Sequence, residues 1–205
     1  MMKVYSFCAG ELGTNSIVLV KNGKCIAIDV PYGADSVEKF ISDNQLQLVS
    51  VLLTHGHFDH VGGVQRLIDR FGCSDLPVFI HNADERLANC ASQNRWSVKA
   101  ENCYPTKHVS KGHYSVDCFD FDVIETPGHT AGSVCYVFDE CNLLVSGDTL
   151  FCGGIGRTDF PESVPSQMRS SLAKLKCLDK NYEVVCGHGP STSLDAEKRT
   201  NPYLL

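Results

Sequence analysis

Thr54-His55-Gly56-His57-Phe58-Asp59-His60 sets three histidines and an aspartate between positions 55 and 60. Imidazole nitrogen and carboxylate oxygen are the donors that zinc and related divalent ions accept. Desolvating such a cluster without a metal would be costly. The four side chains cannot all face one ion. A tight loop can aim them at two neighbouring points, and Gly56 gives the backbone freedom to do so. Three further segments have the same grammar: Pro127-Gly128-His129-Thr130, Gly147-Asp148-Thr149 and Gly187-His188-Gly189. Each puts one ligand-type side chain, flanked by glycine, just past an apolar run. Five histidines and two aspartates thus make a candidate centre for two metal ions, drawn from four segments. The chemistry that suits such a centre is hydrolysis.

These residues need strand ends to carry them. Val51-Leu52-Leu53 reads as a buried strand ending at the first motif. Short β-rich runs bounded by turn signals predict strands over Lys3–Cys8, Ser16–Lys21, Lys24–Val30, Ser50–Thr54, Val78–His81, Asp120–Thr126, Ser133–Asp139, Asn142–Ser146 and Glu183–Cys186. Asn22-Gly23 predicts a tight hairpin turn between the second and third. Apolar spacing predicts helices over Asp35–Asn44, Gly63–Phe71, Asp84–Ser92 and Pro165–Leu178. A β-rich first half with inserted helices, then a second half of the same pattern, suits two packed sheets with helices outside. Residues 86–113 are the least regular part, and a loop of that length is often functional.

The 205 residues fit a single domain, 1–205. Net charge is −6 with no Lys/Arg cluster, so no nucleic-acid partner is expected. No apolar run reaches the roughly 18 residues of a membrane span, and the start has no apolar leader segment. The 11 cysteines lack C-x-x-C spacing, and several, such as Cys25 and Cys135, lie in apolar runs. They read as small buried apolar residues rather than a disulfide framework or thiolate site. A reducing compartment, the cytoplasm, follows as the expected location.

In order and spacing, His55-x-His57-x-Asp59-His60, His129, Asp148 and His188 resemble the motifs of the metallo-β-lactamase superfamily. The resemblance runs from about Asn15 to His188. It implies an α+β fold, a four-layer αβ/βα sandwich of two facing mixed sheets with helices outside and metals at one edge. It also implies that His55, His57 and His129 hold one ion, that Asp59, His60 and His188 hold the other, and that Asp148 bridges both. Asp29 looks like the family's aspartate that steadies the ligand loop. Two divalent ions are implied, zinc first, with iron or manganese also suited to these donors.

Two neighbouring ions can share one water and lower its pKa from about 15.7 toward about 7. The resulting bridging hydroxide can attack a carbonyl, with Asp59 orienting it and managing its proton. The segment from Ser146 to Phe160 and the ending Arg199-Thr200-Asn201-Pro202-Tyr203-Leu204 resemble the short bacterial-type glyoxalase II (hydroxyacylglutathione hydrolase) branch. The implied substrate is a small-molecule thioester such as S-D-lactoylglutathione. The stretch after His188 is too short for the C-terminal helical domain of the long members. Glutathione recognition must then use other residues, Arg157 among them, unless Arg157 simply pairs with Asp159. Persulfide dioxygenases, which hold one iron with two histidines and an aspartate, share a similar Gly-Arg-Thr-Asp-Phe segment and are one alternative; a hydrolase of another ester or thioester is the other. His81, His108, His113 and Cys152 are expected outside the ligand set.

Overall fold

Apolar side chains alternate along the central strands so that both faces of each strand are buried, which obliges each sheet to be covered on both sides. The computed structural model describes residues 1–205. One sheet takes the order β1 (Lys3–Ala9), β2 (Thr14–Lys21), β3 (Lys24–Ile28), β4 (Gln47–Leu52), β5 (Val78–His81) and β6 (Lys107–Val109). The other comprises β7 (Gly112–Val116), β8 (Phe119–Glu125), β9 (Val134–Phe138), β10 (Leu143–Gly147), then β13 (Glu183–Cys186) and β14 (Thr192–Ser193). Between β10 and β13 lies a two-stranded hairpin, β11 (Leu150–Phe151) with β12 (Gly154–Ile155). Both sheets are mixed. β3 through β6 pair in parallel, as do β10 and β13, while the other pairings are antiparallel.

The alternation sorts the core into three apolar layers. Ile17, Leu19, Ile26 and Ile28 of the first sheet meet Phe121, Tyr136, Phe138 and Val145 of the second. Residues on the opposite face of the first sheet, such as Val18, Ala27 and Val51, pack on α1 (Asp35–Asp43) and α3 (Val64–Phe71) through Val37, Ile41, Val64 and Leu67. The far face of the second sheet, with Val137, Leu144 and Val184, packs on Met168, Leu172 and Leu175 of α5 (Pro165–Lys176) and Leu194 of α6 (Leu194–Thr200). The result is the four-layer αβ/βα sandwich expected from the sequence. None of its helices is long and apolar enough to cross a membrane.

Several boundaries differ from the sequence expectation. The irregular stretch 86–113 contains β6 and the start of β7, edge strands whose half-exposed, polar sequences KHV and GHYSV carry no clean apolar alternation. The helix expected over Asp84–Ser92 is broken into α4 (Glu85–Asn89) and flanking 3₁₀ turns. The hairpin turn at Asn22-Gly23 is present, with φ of 53° and 75°.

All 11 cysteines are free. Cys25, Cys103, Cys135 and Cys186 are buried, whereas Cys8, Cys90, Cys152 and Cys177 are exposed. Burial disfavours the thiolate, pushing Cys25 and Cys103 up to about 12 and Cys135 and Cys186 up to about 11. Iodoacetamide at pH 8 should therefore label the four exposed cysteines of the native protein. The four buried ones should react only after denaturation. Peptide mass spectrometry gives the pattern, and native labelling of Cys25 or Cys135 would contradict it.

Candidate metal centre

At the carboxyl end of β4 the chain passes through Thr54 and His55 into a one-turn helix, α2 (Phe58–Val61). The helical turn puts Asp59 and His60 on successive positions above the strand, while His57 precedes it in extended conformation, with φ of −67° and ψ of 144°. The loop after β8 supplies His129, the end of β10 supplies Asp148, and the end of β13 supplies His188. All seven side chains converge. The donor atoms of His55, His57 and His129 lie within 4.8 Å of one another. So do those of Asp59, His60 and His188, and those of His55, His60 and Asp148. Asp148 stands between the two outer groups, with Oδ2 3.4 Å from His129 Nε2 and 3.7 Å from His188 Nε2, and Oδ1 3.5 Å from His60 Nε2.

Each of the five imidazoles is tied by one ring nitrogen and aims the other inward. His129 Nδ1 donates to the Arg157 carbonyl at 2.8 Å and His188 Nδ1 to the Leu12 carbonyl at 3.2 Å. His60 Nδ1 donates to Asp29 Oδ2 at 2.8 Å, and His57 Nε2 to Glu162 Oε1 at 3.0 Å. Carbonyls and carboxylates only accept, so these nitrogens carry the protons. The Thr54 hydroxyl donates to Asp29 Oδ2 at 2.6 Å and so accepts from His55 Nδ1 at 3.0 Å. The ring nitrogens left over all face the cluster. His57 Nδ1 lies 3.1 Å from His55 Nε2 and 2.9 Å from His129 Nε2, and His60 Nε2 lies 3.3 Å from His188 Nε2. Ring nitrogens so close to one another need a proton or a metal cation among them. Asp148 Oδ1 is buried with no hydrogen-bond partner. These residues fit divalent ions.

Among the protein's own groups the electrostatics are divided. Burial and the neighbouring imidazoles hold His55 well below the usual histidine value, which keeps it neutral. Burial also acts against charge on His60, yet Asp29, Asp59 and Asp148 lift it to about 10. Burial works against the Asp59 carboxylate too, but His60 and His188 hold its pKa below the usual carboxylate range. Gly187 permits the close packing: a Cβ there would sit 2.0 Å from Asp148 Oδ1.

A cleft of about 480 Å³ opens over the cluster, walled by Phe58, Trp96, Phe151, Ile155 and Phe160. Arg157 is at its rim, but its guanidinium is engaged by Asp159 through two hydrogen bonds of 2.7 Å. His81, His108 and His113 lie outside the cluster, near Glu125, Glu85 and Asp122 respectively, and Cys152 is exposed. Two buried or half-buried carboxylates went unread in the sequence. Asp84 accepts from the amides of Gly56 and Gly132 and from the Thr130 hydroxyl, fastening the His55–His57 loop to the His129 loop. It had a visible signal, a polar residue just past an apolar strand. Glu162 had none.

Two facing sheets whose strand ends gather histidines and aspartates at one edge define a metallo-hydrolase. Residues 9–189 match the Metallo-beta-lactamase superfamily, and the chain belongs to it. It is 31% identical to the probable metallo-hydrolase YqgX of Bacillus subtilis, over 99% of this chain and 98% of that protein. It is 33% identical to the hydroxyacylglutathione hydrolase GloC of Haemophilus influenzae, over 93% of this chain and 92% of the relative. The crystal structure of TTHA1623 in a di-iron-bound form superposes with a TM-score of 0.88 at 32% identity, covering 98% of this chain and 100% of that one.

Asp29 holds both Thr54 and His60, so its charge is the test of the scaffold. Asp29→Asn keeps the size but replaces one acceptor oxygen with a donor. It should leave at least one buried donor unpaired, at a cost of about 1–3 kcal/mol. Urea unfolding measures this; a variant as stable as the parent would remove Asp29 from the role.

Proposed function

We propose that this metallo-hydrolase is a binuclear thioesterase acting on a glutathione thioester such as S-D-lactoylglutathione. In this reading His55, His57 and His129 hold one divalent ion, Asp59, His60 and His188 hold the other, and Asp148 lies between them. The observation that carries it is the anchoring pattern: five imidazoles, each with one nitrogen held by a protein group and the other turned inward. Zinc suits these donors, and iron or manganese would also be accepted. The substrate class is supported by similarity to a hydroxyacylglutathione hydrolase and by the apolar cleft above the cluster. A set of 11 free cysteines suits a reducing compartment such as the cytoplasm.

Ions bound here would supply an activated water and polarisation of the thioester carbonyl. The chain's own residues do the rest. Asp59, held as the anion, accepts a hydrogen bond from the attacking water and orients it. Water oxygen adds to the carbonyl carbon, the carbon–sulfur bond breaks, and the departing sulfur takes up a proton as thiol. Phe58, Trp96 and Phe160 shield this from bulk solvent and pack the acyl and thioester parts of the substrate. Arg157 meets a substrate carboxylate at the rim. Its pair with Asp159 is exposed, and such pairs are worth little, so exchange for a substrate anion is cheap.

Metal analysis by mass spectrometry with an S-D-lactoylglutathione assay tests the reading. Two ions per chain and turnover are expected; a fully active preparation with one ion would defeat the binuclear assignment. Asp148→Ala should disturb both sites, His188→Ala mainly one, and Cys152→Ala neither. Stripping of metal by Cys152→Ala but not by Asp148→Ala would redraw the site around thiolate.

Metal affinity should also rise with pH. His60 Nε2 must lose its proton before it can ligate, and with the imidazole lifted to about 10 that loss is incomplete at neutral pH. Chelator competition between pH 6 and 9 should show tightening throughout. A flat profile would contradict a proton on His60 Nε2 in the metal-free protein.

A further inference from the structure

Of the five anchoring partners of the histidines, Arg157 and Leu12 offer backbone carbonyls, and Thr54 and Asp29 offer side chains bonded to each other. The fifth is the side chain of Glu162, from a segment with no ligand-type motif. Its Oε1 accepts from His57 Nε2 at 3.0 Å, and the pair is shielded, with side chains 8% and 17% exposed. This contact sets His57 apart. His55, His60, His129 and His188 all present Nε2 to the cluster; His57 alone presents Nδ1. A neutral imidazole carries one proton on either nitrogen, and the hydrogen bonds its two nitrogens make set which one holds it. Unless a partner claims the Nε2 proton, part of the population would hold it on Nδ1, where the inward lone pair is needed.

Glu162 is itself held. Arg95 Nη2 donates to both of its oxygens, at 3.0 and 2.9 Å. The Arg95 guanidinium lies 4.8 Å from the Trp96 ring centroid and 5.2 Å from that of Phe160. A carboxylate whose only task was to neutralise Arg95 would have no need to stand against a buried imidazole. The chain Trp96/Phe160–Arg95–Glu162–His57 thus runs from the irregular segment after α4 into the cluster.

We propose that Glu162 is a positioning residue of the metal centre: it fixes the Nε2–H tautomer and ring orientation of His57, and Arg95 fixes Glu162. A carboxylate in this place also makes Nδ1 a better donor, and loss of such partners typically costs about 10–100-fold in metal affinity. The proposal rests on the metal-centre reading above, but the tautomer itself is measurable in the protein without metal.

The experiment uses the full chain, its E162A, E162Q and R95A variants, and H57A to assign the His57 signals. Two-bond ¹H–¹⁵N correlation spectra of zinc-free protein at pH 8 report the tautomer. Zinc competition with a chelator reports affinity. The parent should show His57 as the Nε2–H tautomer. E162A should show a tautomer mixture and bind one of its zinc equivalents about 10–100-fold less tightly. E162Q, whose amide oxygen still accepts, should keep the tautomer and recover part of the affinity. R95A should fall between E162Q and the parent. Nδ1–H in the parent overturns the proposal without any variant, which covers failure of E162A to fold. Unchanged tautomer and zinc affinity in a folded E162A overturn it as well. If the parent binds no zinc, the metal-centre reading fails, while the tautomer still shows whether Glu162 positions His57.

Discussion

A single buried carboxylate holds the candidate centre in register with the first sheet. Asp29, 1% exposed, follows β3 and accepts from the Thr54 amide, the Thr54 hydroxyl and His60 Nδ1. Its own amide bonds to the Leu52 carbonyl, so it is fixed against β4 from both sides. It does this with φ of 53°, a left-handed conformation uncommon for a residue other than glycine. The strain is tolerated because every alternative would separate the carboxylate from three buried donors. Through Thr54 the same carboxylate sets the tautomer of His55, and directly it orients the ring of His60. Two rings in different parts of the cluster are thus oriented by one anion.

The remaining side chains of the cluster depend on joining the sheets at this end. The Val134 amide donates to the Thr54 carbonyl, and the Tyr136 hydroxyl reaches the Leu53 carbonyl at 2.8 Å. Across the other side, the Asn15 amide bonds to the Gly187 carbonyl, and Asn15 Nδ2 donates to the carbonyls of Cys186 and Gly189. These bonds connect strands of different sheets, and they flank the seven side chains. Asp84 adds a third fastening between the loops bearing His55 and His129.

Much of this was legible in the residues. Strand ends are visible because burial on both faces makes apolar runs, and chance rarely sets a ligand-type side chain just past four such runs in one chain. His129, Asp148 and His188 were found that way, and the structure gathers them with the first motif. Asp29 was found through family resemblance, since an aspartate ending a strand is equally a turn residue. The outer supports were harder. Glu162 meets His57 across 105 positions of sequence, and nothing local distinguishes it from any surface glutamate. β6 and β7 were missed because edge strands expose one side and lose the apolar alternation that marks the central ones. Arg157 illustrates the opposite case: the sequence allows either a substrate-carboxylate role or a pair with Asp159, and the structure contains the pair.

The origin of the donors in both sheets has a consequence for how the molecule folds. His55, His57 and His60 follow a strand of one sheet, while His129, Asp148 and His188 follow strands of the other. Contacts between positions so far apart in the chain are closed late, after local strands have paired. The cluster therefore cannot exist in a half-assembled chain with only one sheet formed. Any cation that needs donors from both sheets would be captured only after they dock, and would then oppose their separation. Such an ion would act as a latch on the finished sandwich, slowing its opening rather than hastening its assembly.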